Sequence, residues 1–336
     1  MRIATLAIVI ILFWVGQIAS IDGQKPTTQD SIAHWIALSN QEKLGITMRI
    51  TYAKKALQHA QKEGTVLDKI EANTSLGTIA LEQYDYQKAL KYLQQASLLA
   101  KSNNLHKQQS ETMYFMGNVY AYLGDLAQAQ TCYNEAMHFF EKKKDTIAIA
   151  QTLNSLGIIY SKQGDLQKAL TAYEDALTLF EKKGTEEYMT YPLNNIGDYY
   201  FHEGKLELSL ITFQQALEID QKYQNLRGER IVLGNIGWEY RAQDDYDNAI
   251  KMFEQSLSIA IPEGFDKVVY DGYKDLAETY EEMGNYKQAY NFYKEFVELR
   301  DSVLGKETQS QIAKLRVQYE VKKKDQELQK AEENVG

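Results

Sequence analysis

The residue types that most often perform catalysis occur in this sequence, but their spacing does not favour it. Five histidines are present, and none stands at a metal-ligand spacing from another: His34, His59, His106, His138 and His202. The chain contains no glycine-rich nucleotide-binding motif and no Gly-x-Ser-x-Gly nucleophile motif. Its many carboxylates form no pair that stands out as a general acid and base. We therefore expect no catalytic residue, no metal, no cofactor and no enzymatic activity.

Side chains suited to hydrogen bonding recur at regular spacing instead. Two pairs of asparagines stand 40 residues apart, Asn154 with Asn194 and Asn195 with Asn235. A carboxamide offers two donors and an acceptor, which suits contact with a peptide backbone. For Asn154, Asn194 and Asn195, hydrogen bonds between helices of the chain itself are the alternative. Trp238 is a candidate anchor for a partner, and Arg241 is a candidate ion-pair partner for a ligand carboxylate.

The composition predicts a helical chain with a sizeable core. Hydrophobic residues make up 44% of the 336 residues, and only three prolines interrupt them. Proline breaks helix interiors, so its scarcity permits long helices. The formal net charge is −9, which argues against a nucleic-acid partner because such a partner needs a basic face.

The N-terminal segment predicts export. Arg2 precedes an uncharged apolar run over residues 4–16, which is shorter than the roughly 20 residues of a membrane-spanning helix. We interpret residues 1–20 as a signal peptide and residues 21–30 as a linker. The expected location is periplasmic or otherwise extracytoplasmic. The alternative is an uncleaved segment that anchors the protein, and membrane contact is expected only through this segment.

A repeat of 40 residues organises most of the chain. A hydrophobic residue followed by a small one recurs without insertion or deletion at Leu76-Gly77, Met116-Gly117, Leu156-Gly157, Ile196-Gly197, Ile236-Gly237 and Leu276-Ala277. A turn follows each pair, and a second segment with alanines at helical spacing follows the turn. Each unit therefore predicts a helical hairpin that buries its apolar face only by stacking on its neighbours.

This combination of small, aromatic, turn and alanine positions resembles the tetratricopeptide repeat (TPR) family, in its long-helix form. The resemblance implies an all-α, right-handed superhelical solenoid of antiparallel helix pairs. Six units are expected over residues 65–300, and a degenerate capping repeat over residues 31–64.

The resemblance also implies a concave groove, lined by the first helix of each unit, that binds a protein or peptide. The groove residues that it implies are Tyr114, Asn118, Asn154, Asn194, Asn195, Asp198, Asn235, Trp238, Arg241 and Lys274. Lys274 stands beside Asp275 and Glu278, which weakens anion binding, so this end of the groove is expected to be acidic.

Residues 301–336 depart from the repeat and predict a long C-terminal helix that caps the solenoid or forms a coiled coil. Residues 311–328 resemble the segment that follows the extracytoplasmic TPR sensor regions of bacterial membrane histidine kinases and LuxR-type regulators. This resemblance implies a sensory interaction module without its own output domain. The alternative is a cytoplasmic or membrane-anchored assembly scaffold that self-associates through residues 301–336.

Overall fold

The computed structural model describes residues 28–41, 44–263 and 266–299. This part of the chain is helical and contains no strand. The helices are α1 Thr28–Ser39, α2 Ile46–Glu63, α3 Val66–Glu82, α4 Tyr86–Ser102, α5 His106–Leu123, α6 Leu126–Lys143, α7 Thr146–Lys162, α8 Leu166–Lys183, α9 Thr190–His202, α10 Leu206–Tyr223, α11 Leu226–Ala242, α12 Tyr246–Glu263, α13 Asp266–Glu282 and α14, residues 286–299.

The helices pack as consecutive antiparallel pairs, and each pair stacks on the next. The first helix of a pair also contacts the first helix of the following pair. This architecture confirms the prediction of an all-α solenoid. We number the units 1 to 6 from α3/α4 to α13/α14, and α1/α2 forms an N-terminal pair. The predicted signal peptide (1–20) and C-terminal helix (301–336) lie outside the described residues.

Each of units 1 to 5 is held together by a glycine on its first helix that faces a bulky side chain on its second. A Cβ added to Gly157 would lie 2.4 Å from Cε1 of Tyr173, which is closer than non-bonded carbons approach. The same contact joins Gly77 to Leu93, Gly117 to Tyr133, Gly197 to Phe213 and Gly237 to Phe253. The large partner is 4% exposed or less in every unit. The hydrophobe-small pairs therefore mark the places where two helices approach most closely.

The turns inside the units follow from their residues. Gly164 adopts φ +84°, the left-handed conformation that closes a helix without a steric penalty. The next residue, Asp165, caps α8 by accepting a hydrogen bond from the Lys168 backbone N–H at 3.3 Å. Asp85, Asp125, Asp245 and Asn285 make the same contact at the starts of their helices.

The junction between units 4 and 5 contains a buried carboxyl group. Asp220 on α10 has no exposed surface. Its two oxygens accept hydrogen bonds from Thr190 Oγ1 at 2.8 Å and from Asn225 Nδ2 at 2.6 Å. Burial raises the pKa of Asp220 to about 6, although both hydrogen bonds act in the opposite direction.

Candidate functional site

Four predicted groove residues form a ladder of side-chain amides across three successive first helices. Asn195 on α9 donates through Nδ2 to Oδ1 of Asn154 on α7 at 2.9 Å. Asn235 on α11 donates in the same way to Asn194 on α9, also at 2.9 Å. In both cases the partners are 41 residues apart, one more than the repeat. We call these four residues the amide row.

The amide row is only partly occupied by its internal hydrogen bonds. All four residues are half-buried, so part of each remains accessible to solvent. In each pair one amide uses its carbonyl and the other uses one N–H. Among the described residues, this leaves the NH₂ groups of Asn154 and Asn194 and the carbonyls of Asn195 and Asn235 available. The row makes the interhelix bonds that the sequence offered as the alternative, and it retains the donors and acceptors that a peptide backbone needs.

Tyr114 and Asn118 hold the preceding first helix, α5, to its neighbours. The hydroxyl of Tyr114 lies 3.3 Å from that of Ser155 on α7, again with an offset of 41 residues. Asn118 accepts a hydrogen bond from the Tyr133 hydroxyl at 2.7 Å. Burial raises the pKa values of Tyr114 and Tyr133, so both hydroxyls remain protonated. The interactions of these two predicted groove residues therefore connect helices of the chain.

Trp238 lies at the solvent-exposed surface of α11, as the groove assignment requires. Its side chain is 42% exposed, although its ring lies edge-on to the buried Phe253, with centroids 6.2 Å apart. The guanidinium carbon of Arg241 lies 5.1 Å from the Trp238 ring centroid, which is within cation–π distance. A large aromatic surface is thus presented to solvent on a rigid helix.

The Arg241 guanidinium is already paired within the chain, so carboxylates of the protein itself occupy the place expected for a ligand carboxylate. Its Nε and Nη2 atoms donate to both carboxylate oxygens of Glu282 at 2.9 and 2.6 Å, and Nη1 donates to Glu278 at 3.0 Å. The hydrogen bonds with Glu282 contribute most to the raised pKa of Arg241. Arg241 and Glu282 are 41 residues apart, so the same interhelix register creates this pair. That offset is the signal that identifies Glu282, which the sequence analysis did not select, whereas Glu278 lies 37 residues from Arg241.

The remaining two predicted residues are exposed and make weaker ion pairs. Asp198 Oδ1 lies 3.6 Å from His202 Nε2, and Lys274 Nζ lies 3.5 Å from Glu278 Oε1. Each pair is one turn apart on the same helix. Exposed pairs of this kind contribute little to stability because water screens them. The structure thus joins Arg241 and Lys274 through Glu278, and Arg241 also lies over the Trp238 ring.

The described part of the chain contains no group of three His, Cys, Asp or Glu side chains placed to hold a metal ion. Four of the histidines are exposed, and the fifth, His59, lies beside Trp35 with ring centroids 4.7 Å apart. None of the described helices is both long enough and apolar enough to cross a lipid bilayer.

Comparison with known proteins gives a family and a fold. Models described as tetratricopeptide repeat match residues 108–182, 188–261 and 271–302, which together exceed half of the chain. No curated protein sequence matches the chain significantly.

Several solved structures share the fold. NprR in complex with its cognate peptide NprX is 16% identical over 88% of this chain and 85% of its own, with a TM-score of 0.63. A Rap protein complexed with competence and sporulation factor is 13% identical over 90% and 94%, with a TM-score of 0.62. BtubC from P. vanneervenii is 21% identical over 70% and 93%, with a TM-score of 0.53. At these identities the similarity concerns the fold alone.

Proposed function

The chain belongs to the tetratricopeptide repeat family, and from this premise we propose that it is a binding scaffold rather than an enzyme. Its ligand is a peptide, or an extended segment of a partner protein, that lies along the first helices. The observation that carries the proposal is the amide row with its unused donors and acceptors, next to the exposed ring of Trp238.

The chemistry of this surface suits an extended backbone. A peptide in extended conformation presents N–H and C=O groups at regular intervals along each edge. The free NH₂ groups of Asn154 and Asn194 suit its carbonyls, and the free carbonyls of Asn195 and Asn235 suit its N–H groups. Trp238 adds an apolar anchor of the type that dominates binding hot spots. Two of the solved neighbours are complexes with a named peptide or factor, which agrees with this proposal.

The test is to remove the anchor without disturbing the fold. Trp238→Ala is expected to weaken capture of the partner by about tenfold or more, since truncation of an interface tryptophan typically costs 2 kcal/mol or more. Helicity is expected to remain nearly unchanged, because 42% of the Trp238 side chain is already exposed. The measurement is a quantitative pull-down with circular dichroism of the same samples.

Ile211→Ala is the matched control. Ile211 is 46% exposed but lies on a second helix, α10, away from the amide row. This variant is expected to capture the same partner as the wild-type chain. Equal binding by Trp238→Ala and the wild type would show that the Trp238 ring does not contact the partner. A collapse of helicity would show that Trp238 belongs to the core.

We further propose that the protein acts outside the cytoplasm as a sensory module. The support is the signal-like character of residues 1–20 and the resemblance of residues 311–328 to segments that follow extracytoplasmic sensor regions. Residues 1–30 fused to a reporter that is active only after export are expected to yield activity. An inactive reporter would favour the cytoplasmic alternative.

A further inference from the structure

The interhelix register has one position where its pairing fails. An offset of 41 residues joins Asn154 to Asn195 and Asn194 to Asn235. The next pair in this series is Gly234 on α11 with Asp275 on α13. Gly234 has no side chain to offer, so the hydrogen bond that the preceding units make cannot form here.

The missing side chain leaves an open space. A Cβ added to Gly234 would meet no atom within 4 Å, whereas those added to Gly197 and Gly237 would lie 2.6 Å from a phenylalanine ring. Gly234 is therefore not required for close helix packing. Asp275 is half-buried, and its carboxylate accepts no hydrogen bond from any described residue.

The charges around Asp275 leave this space negative. Asp271 and Glu278 lie near it on α13, and Lys274 on the same helix and Arg241 on α11 oppose them. Both cations are already engaged with Glu278, which lies 3.5 Å from Lys274 and 3.0 Å from Arg241. Burial is the main reason that the pKa of Asp275 rises to about 7, and the neighbouring carboxylates raise it further. A cationic ligand group would favour the ionised form.

We propose that the gap above Gly234 is a specificity subsite that receives a lysine or arginine side chain of the bound peptide. The cationic head pairs with Asp275, and the aliphatic stem lies beside Trp238, one turn along α11 from the glycine. This inference rests on the proposed function and names its ligand chemistry. Basic side chains fit because an apolar stem and a charged head match an aromatic surface next to a carboxylate.

The chain itself supplies two variants that test the subsite. Asp275→Asn removes the negative charge, and Gly234→Asn places an amide where Asn154 and Asn194 stand, so that it bonds to Asp275 and fills the gap. Asp271→Asn is the control, because it removes the same charge one turn away.

The probe is a phage-displayed library of random decapeptides, selected on the full chain. Affinities are then measured for selected peptides and for copies of them in which each basic residue is replaced by methionine.

The wild-type chain is expected to select peptides that contain lysine or arginine. Asp275→Asn and Gly234→Asn should each weaken such a peptide by about tenfold, as expected for loss of a charge-assisted hydrogen bond, and Asp271→Asn should weaken it much less. The methionine copies should bind the wild-type chain, Asp275→Asn and Asp271→Asn alike. Binding of the basic peptide should tighten from pH 6 to pH 8 as Asp275 ionises, and Asp275→Asn should lose this dependence.

Two results overturn the inference in distinguishable ways. The subsite is rejected if the selected peptides lack basic residues but still need Trp238 for binding. It is also rejected if Asp275→Asn does not change the affinity for a basic peptide. Both outcomes leave the proposed function intact. Failure of the wild-type chain to select any peptide rejects both. Circular dichroism establishes that the variants are folded, and Gly234→Asn is expected to retain wild-type helicity because its new side chain enters open space.

Discussion

At the scale of the residue, glycines in similar places on the first helices serve different purposes. Gly157 lies against the Tyr173 ring, and any side chain at this position would overlap the ring. Gly234 lies three residues before another contact glycine, Gly237, yet its own surroundings are empty. Sequence alone assigns all three to helices. Only the packing of the second helix distinguishes a glycine that permits close approach from one that leaves a gap.

Gly157→Leu should therefore destabilise the chain strongly. The new side chain must displace Tyr173 from a site in which it is 4% exposed, and overpacking of this kind costs about 1–3 kcal/mol or more. Gly234→Ala is the control, since it should stabilise the helix by up to about 1 kcal/mol. Urea denaturation of both variants checks the expectation, and a wild-type midpoint for Gly157→Leu would contradict the contact.

Asp220 gives stability a specific pH dependence. Its folded-state pKa of about 6 lies above the ordinary value of 3.8. Between these values the folded chain holds a proton that the unfolded chain has released, so ionisation of this group opposes folding. Its contribution is therefore most favourable below the ordinary value and is lost as the pH rises through 6.

Asp220→Asn should remove this dependence. Relative to the wild type, the variant should gain about 2 kcal/mol in the free energy of unfolding between pH 4 and pH 7, from a shift of about two pKa units that begins to act below pH 4. Denaturation across this range measures the difference. Asp175→Asn, which alters an exposed residue of α8, controls for the lost charge. If the difference in the free energy of unfolding between Asp220→Asn and the wild type does not change with pH, the raised pKa of Asp220 is contradicted.

At the scale of the element, the connections between units use the left-handed conformation with and without glycine. Gly184 adopts φ +72° between units 3 and 4, whereas Lys144 and Gln224 adopt φ +56° at the equivalent places before and after it. A residue with a Cβ costs roughly 1–2 kcal/mol in this conformation. Lys144 and Gln224 therefore carry strain that the rest of the fold offsets.

Lys144→Gly should stabilise the chain by about 1 kcal/mol because it removes this strain at an exposed turn. Gly184→Lys should destabilise it by a similar amount. Nothing within 4 Å would block the new Cβ, so the effect comes from the strain of a left-handed backbone conformation in a residue that has a Cβ. Thermal melts of the two variants should shift in opposite directions. Shifts of the same sign would show that side-chain contacts, and not the backbone, decide the outcome.

The sequence predicts the elements more completely than it predicts the site. The 40-residue period places the helices, and the small residues and turns identify their close contacts and ends. The amide row could be predicted as two sets of equivalent positions. Its pairing could not, because the 41-residue offset depends on how neighbouring first helices are inclined and shifted. The occupied state of Arg241 and the gap at Gly234 follow from the same offset and were missed for the same reason.

At the scale of the whole molecule, the last described unit exposes a position that is buried or half-buried in the other units. Tyr290 on α14 is 69% exposed, whereas Ile250 and Leu90, at the same position in earlier units, are 8% and 4% exposed. Tyr286 is 73% exposed on the same face of α14. Such aromatic exposure favours a further contact at this end. The alternative function expected from the sequence, a scaffold that self-associates through residues 301–336, stays a separate proposal.

Removal of residues 301–336 is the test of that alternative. If these residues mediate assembly, multi-angle light scattering should show an oligomer for the full chain and a monomer for the truncated one. Tyr290→Ser in the full chain asks separately whether the exposed face of α14 takes part. Monomers in both the full and truncated forms would end the self-association model and leave the groove proposal unaffected.

The unvarying length of the units has an evolutionary consequence. Each unit contacts chiefly its immediate neighbours, and the contact repeats in the same register from one junction to the next. A duplication or loss of 40 residues, or of a multiple of 40, therefore preserves the register of the remaining junctions, whereas a change of another length inside a helix disrupts one. Ancestral chains could lengthen or shorten their recognition surface in whole steps. Each unit would then carry its own subsite, and the order of the subsites along the surface would follow the order of the units in the gene.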